Sequence, residues 1–199
     1  ADKDYCTVPE GIAHFLEHKL FENEDCDVFD LYAKTGANAN AFTSFDKTCY
    51  FFSCSDNFKA SLEILLSFVQ SPYFTPESVA KEQGIIGQEI RMCDDDPGWR
   101  VFFNMLCGLY QKHPVRIDIA GTIESIAQIT DDLLYRCYRT FYNLHNMVLA
   151  VAGNCPVDEV LEVADRLLKP CDDQKLETVF PEETLDIVRP ETVETAAVG

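Results

Sequence analysis

No apolar run in this 199-residue chain comes near the ~20 residues that a helix needs to cross a bilayer. No membrane partner is expected, and no export either, since the first residues lack the basic-then-apolar layout of a leader. Cationic side chains are scarce as well: 16 Lys and Arg stand against 34 Asp and Glu, a net charge of −18. Phosphate backbones are gripped by clustered Lys and Arg, so no nucleic-acid partner is expected. The surplus carboxylates favour solubility and, at long range, basic peptides. There is no C-x-x-C pair, and the nine cysteines are odd in number and scattered. A disulfide scaffold would be smaller and evenly counted. These thiols are expected to be reduced, buried small hydrophobes in a cytoplasmic protein.

What is present suits a globular chain: 47% of residues are hydrophobic and 25% charged. The length allows one large domain, or a domain plus a tail. Apolar residues at helical spacing (Ile12, Phe15, Leu16, Leu20) predict a helix over residues 11–21. A turn-rich stretch follows, then alternating residues over 38–45 and a β-prone cluster with Tyr50, Phe51 and Phe52. A second helix is expected over 58–70. A third starts at Thr75-Pro76-Glu77, where a hydroxyl caps and proline takes the first helical position, and runs to about 92. Gly84 and Gly87 lie within it, as if another backbone came close there. Further helices are expected over 99–110, with Phe102, Phe103, Leu106 and Leu109 as core, over 131–142, and over 156–169. Residues 147–152 read as a short strand. Strands and helix runs mix without regular βαβ alternation, so the class is α+β: a mixed or antiparallel sheet covered by several helices.

Inside the first helix stands His14-Phe15-Leu16-Glu17-His18. Positions three and four apart share a helix face, so His14, Glu17 and His18 project together. Two imidazoles so spaced can bind one Zn²⁺, while the carboxylate beside them reaches a water at the metal. The same residues could instead be surface histidines and a solvated glutamate. The apolar character of this helix counts against that, because unpaired histidines are costly to bury. The pattern is the H-x-x-E-H motif of inverzincins. A catalytic zinc takes a third protein ligand and keeps one position open. The third helix offers Glu82 and Glu89, two turns apart on one face.

At this point the chain resembles the pitrilysin, insulin-degrading enzyme and mitochondrial processing peptidase family, which pairs H-x-x-E-H with a downstream E-(x)6-E. Glu82 to Glu89 matches that spacing. Gly11-Ile12-Ala13 before the motif, Gly36-Ala37-Asn38-Ala39-Asn40-Ala41-Phe42-Thr43 after it, and the run from Ile90 to Pro97 agree, the last resembling bacterial members. The resemblance spans residues 9–170. It implies a zinc endopeptidase with His14, His18 and Glu89 as metal ligands and Glu17 as general base. Glu82 would hold a ligand histidine by its second ring nitrogen. Residues Ala39, Asn40, Ala41, Phe42 and Thr43 would form an edge strand that takes the substrate peptide by strand addition.

The same resemblance implies a second, similar half, which supplies an arginine and a tyrosine; nothing in the chain resembles it. The expectation is therefore a catalytic domain over 1–170, shortened where a first strand should stand. Residues 171–199 would be an acidic linker or the start of a next element. Partners would be a peptide substrate and the missing half or a homologous subunit, and turnover by the fragment alone would be weak. Two alternatives stay open: a non-catalytic peptide-binding subunit, and a small-molecule lyase that shares the H-x-x-E-H helix but takes a cysteine ligand, here Cys93 or Cys107. His113 and His145 read as loop or surface residues. The Asp94-Asp95-Asp96 run reads as a solvated helix end without the spaced oxygens of a calcium loop.

Overall fold

The helix that carries the motif, α1 (Ile12–Leu20), packs against a hairpin and two other helices. A computed structural model describes residues 6–195. The remaining elements run α2 (Val28–Thr35), β1 (Asn38–Thr43), β2 (Thr48–Ser53), α3 (Phe58–Phe68), α4 (Pro76–Asp94), α5 (Pro97–Leu109), α6 (Ile123–Ile126), α7 (Asp131–Phe141) and α8 (Val157–Leu167). Short 3₁₀ turns lie at Pro114–Arg116 and Leu144–Asn146. The α+β class holds, with a two-stranded antiparallel sheet among the described residues.

Helix α1 touches β1, β2, α4 and α7, and its Phe15, Leu16 and Leu20 are almost wholly excluded from solvent. Around them pack Val28 and Tyr32 of α2, Ile86 and Ile90 of α4, and Leu134 of α7. The start of α1 is fixed by backbone rather than by a capping side chain. Gly11 has φ +88°, and a Cβ there would lie 2.4 Å from the Ala120 carbonyl oxygen. Gly121, φ +75°, approaches the Glu10 carbonyl in the same way, and Ser125 Oγ donates to that carbonyl at 2.8 Å. Only glycine tolerates both the left-handed backbone and the close approach.

The hairpin turns through residues 44–47, where Ser44 N donates to Lys47 O at 2.8 Å. Its register sets Thr43 opposite Thr48 and Ala41 opposite Tyr50. Ala39, Ala41, Tyr50 and Phe52 pack toward the core, while Phe42 and Phe51 face outward. Helix α4 begins with a reciprocal cap between Thr75 and Ser78, with Pro76 at its first position. A second cluster joins α3 to α8 through Leu62, Leu66 and Val163, flanked by a Lys59–Glu162 pair at 2.8 Å.

Several expectations need correction. Residues 28–35 form a helix rather than turns, bracketed by Asp27, whose carboxylate accepts from Phe29 N at 2.8 Å, and by Gly36 in the left-handed region. That cap pair was a legible signal. Residues 147–152 form no strand: Val148 is 92% exposed, and no described strand lies alongside to complete a ladder. The strand expected before α1 falls partly on residues 1–5, outside those described. On α5 only Leu106 of the four expected core residues is buried, and Phe102 and Leu109 face solvent. The nine cysteines are all free, as expected, but only Cys137 is buried. Gly84 has open space around it, and Gly87 meets the Ile123 side chain instead of a backbone.

Candidate metal centre

One face of α1 and one face of α4 meet over His14, His18, Glu82 and Glu89. Each element points its residues there because its other face is apolar: Phe15, Leu16 and Leu20 turn α1, and Val79, Ile86 and Ile90 turn α4, into the core. The rings of His14 and His18 lie edge to face with centroids 4.6 Å apart. Glu89 Oε1 is 3.6 Å from His14 Nε2, and Glu89 Oε2 is 3.5 Å from His18 Nε2. These separations are long for hydrogen bonds. Each is close to the ~3.3 Å expected between two ligand atoms bonded at 2.0–2.1 Å to one tetrahedral zinc. His14, His18 and Glu89 are the group among the described residues that could hold a metal ion, with ligand atoms within 4.8 Å of one another. Neither Cys93 nor Cys107 joins it.

His18 Nδ1 lies 3.0 Å from Glu82 Oε1. With the proton on Nδ1 and shared with that carboxylate, Nε2 keeps its lone pair for a metal. His14 differs: its Nδ1 is buried and has no hydrogen-bond partner. Burial lowers the His14 pKa, and the neighbouring His18 ring lowers it further, which favours the neutral, metal-binding imidazole. Burial acts on His18 in the same direction, but the hydrogen bond and charge of Glu82, with Glu89 and Glu17, outweigh it and raise its pKa.

Glu17, one helical turn from His14, is buried, and its Oε2 accepts a 2.5 Å hydrogen bond from Thr43 Oγ1. Burial raises the Glu17 pKa, while the Thr43 hydroxyl and the His18 ring pull against it. Strand β1 pairs with β2 along one edge, and its other edge carries no described strand. On it, Asn40 Oδ1 accepts from Ala41 N at 2.8 Å. The structure brings the two histidines and the three glutamates together, and β1 meets them through Thr43.

The residues set aside also stand apart. His113 Nδ1 accepts from Val115 N, and its ring stacks on Phe180. His145 lies near the Cys171 carbonyl. Asp94 closes α4, and Asp96 Oδ1 caps α5 by accepting from Trp99 N at 2.7 Å. The sequence reading missed Thr48, whose Oγ1 lies 3.3 Å from Thr43 Oγ1, and the pairing of Tyr50 with Tyr142, whose phenol oxygens are 2.8 Å apart. Thr48 was within reach once both strands were placed, since it faces Thr43 across the turn; nothing local in the sequence points to Tyr142.

The family model for the insulinases, peptidase family M16, matches residues 7–123. The chain belongs to this family. A model for the M16 inactive domain matches residues 128–198. The chain is 61% identical over 151 residues to the zinc protease YmfH of Bacillus subtilis, covering 76% of this chain and 35% of that protein. A zinc protease of Rickettsia bellii is 32% identical over 163 residues, covering 79% of this chain and 40% of that protein. Among solved structures, an M16-like peptidase from Alicyclobacillus acidocaldarius superposes with a TM-score of 0.89 at 44% identity, covering 94% of this chain and 45% of that one. A protease from Helicobacter pylori superposes with a TM-score of 0.81 at 25% identity, covering 91% and 46%. This M16 chain therefore spans less than half the length of the relatives it matches.

Proposed function

We propose that this chain is the zinc-bearing part of an M16 endopeptidase that hydrolyses peptide bonds in extended peptides or small proteins. The observation that carries the reading is the convergence of His14 Nε2, His18 Nε2 and a Glu89 carboxylate oxygen beside the buried Glu17. His14, His18 and Glu89 would hold the ion, and Glu82 would keep His18 in the tautomer that leaves Nε2 bare. Zinc, when bound, supplies Lewis acidity toward water and the scissile carbonyl.

The peptide would lie along the open edge of β1, exchanging main-chain hydrogen bonds with residues 39–43. To pair there it must displace the Asn40 side chain from Ala41 N. Glu17 takes a proton from the attacking water as its oxygen bonds to the carbonyl carbon. The same carboxyl then returns the proton to the departing amine nitrogen as the C–N bond breaks. The division at about residue 170, with a tail after it, is part of this proposal. So is a cytoplasmic location, supported by nine unpaired cysteines.

Because the relatives are more than twice as long, efficient turnover belongs in this reading to a longer polypeptide or to a pair of subunits. The chain alone would bind zinc and cleave weakly. The test measures zinc content and cleavage of an unstructured peptide panel for wild type and Glu17→Gln. The variant should keep the metal and lose cleavage by at least ~100-fold. Equal cleavage by both would remove Glu17 from the chemistry. Wild type devoid of zinc would remove the metal.

A further inference from the structure

Helix α5 is weakly held by the core. Of its 13 residues only Leu106 and Gly108 are buried, while Val101, Met105 and Leu109 face solvent. Its C-terminal end also lacks a local cap, because Tyr110 passes straight into extended backbone (φ −105°, ψ 137°) instead of a left-handed turn. The last carbonyls of a helix have no partner within it, so donors must come from elsewhere.

Residues 180–194 bring one, and they cover the turn beyond it. This stretch runs antiparallel along α5, from its last turn to its first. Val188 N donates to Gly108 O at 2.9 Å. The approach is close enough that a Cβ on Gly108 would lie 3.3 Å from the Arg189 carbonyl oxygen. Just past the helix, the backbone N–H groups of Gln111, Lys112 and His113 all donate to the Glu183 carboxylate, the first at 3.0 Å. Successive N–H groups turned to one side make an anion-binding nest, and here the chain's own glutamate fills it. These bonds, that of Gln111 foremost, hold the Glu183 carboxyl below its ordinary pKa. The Phe180 ring stacks on His113 with centroids 4.9 Å apart, and Gln111 Nε2 donates to Thr184 Oγ1 at 2.8 Å. At the other end of α5, Arg100 holds the Glu194 carboxylate through Nε and Nη2, each at 3.0 Å.

We infer that residues 180–194 form a strap that caps α5 and holds it in place at the Thr43 end of β1. Helix α5 stands at that end because Phe102 and Phe103 pack on Phe45 in the hairpin turn, with ring centroids 6.4 and 6.2 Å apart. A peptide paired with β1 and continuing past Thr43 would run onto α5, so the strap would also steady one wall of the groove. That consequence rests on the reading of β1 as the substrate edge. A strap and a slack linker differ in what their loss does. Losing a strap frees α5 and leaves the closed core around α1 untouched.

Hydrogen exchange on the 199-residue chain tests the strap without turnover. The double variant Phe180→Ala, Glu183→Ala should speed amide exchange over residues 100–113 by at least ~10-fold, with α1, α4 and zinc content unchanged. Glu182→Ala removes the same charge beside the nest and should exchange like wild type. Unchanged exchange in α5 would overturn the strap. Equal speeding in α1 and α4 would overturn it too, since that marks a general loss of stability.

The full-length zinc-loaded polypeptide supplies the second measurement. There the double variant should raise KM for peptides long enough to pass Phe45 by roughly 10-fold, with kcat little changed. Faster exchange in α5 with KM unmoved would overturn its part as a wall. A wild type that cleaves nothing would instead sink the peptidase reading, and exchange would still decide whether the strap holds.

Discussion

The core built on α1 and the outer faces of α5 and of residues 147–157 spend similar apolar residues in opposite ways. In the first, Phe15, Val28 and Ile86 are completely buried, and the leftover polar face gathers His14, Glu17, His18, Glu82 and Glu89. In the second, Val101, Val148 and Val157 are 70%, 92% and 70% exposed. A helix stripe or strand face is stabilised only where a matching face meets it. The first region closes its core and can therefore hold two histidines and buried carboxylates in fixed geometry.

The largest expected effect tests the closed core. Phe15→Ala should cost about 3–5 kcal/mol in urea unfolding, because the void left under α1 has little room to collapse. Phe102→Ala, at 41% exposure, should cost well under half of that. Equal losses would erase the contrast between the two regions.

A smaller effect separates their polar contacts. Glu82→Gln should weaken zinc about 10–100-fold in a chelator competition, since Glu82 is buried against His18 Nδ1. Glu194→Gln breaks a pair with Arg100 of comparable geometry, at 2.8 Å, but in solvent. Exposed pairs contribute at most ~1 kcal/mol. That variant should leave zinc affinity unchanged and melting nearly so. A Glu82 variant with unaltered zinc binding would mean that the carboxylate leaves the ring free.

The closed region was legible because its determinants are local. H-x-x-E-H puts its residues on one face by helical spacing alone, Thr75-Pro76 starts α4 unaided, and Glu82 and Glu89 share a face by simple periodicity. Bringing α4 to α1 was read from resemblance to a family, and the 3.5 and 3.6 Å separations give it geometry. What went unread depends on distant partners. Whether Phe102 or Val148 is buried is decided by what lies across from it, which periodicity does not encode. Tyr142 faces Tyr50 only because α7 ends where the hairpin passes. Helix α2 is a different case, since Asp27 and Gly36 announce both its ends within the sequence.

The smallest expected effect bears on residues 147–152, where pattern and structure disagree. Their apolar run reads as a strand, yet Val148 stands in solvent with no ladder beside it. Val148→Thr keeps the branched shape and swaps a methyl for a hydroxyl. At 92% exposure this should shift the stability of the chain by no more than ~0.5 kcal/mol. Inside a paired, covered strand the same hydroxyl would lose its water, and the cost would rise to about 1–3 kcal/mol. A urea midpoint that stays put places residue 148 in water. A midpoint that falls by the larger amount means the segment is covered in solution, and the open region is then less open than its side chains show.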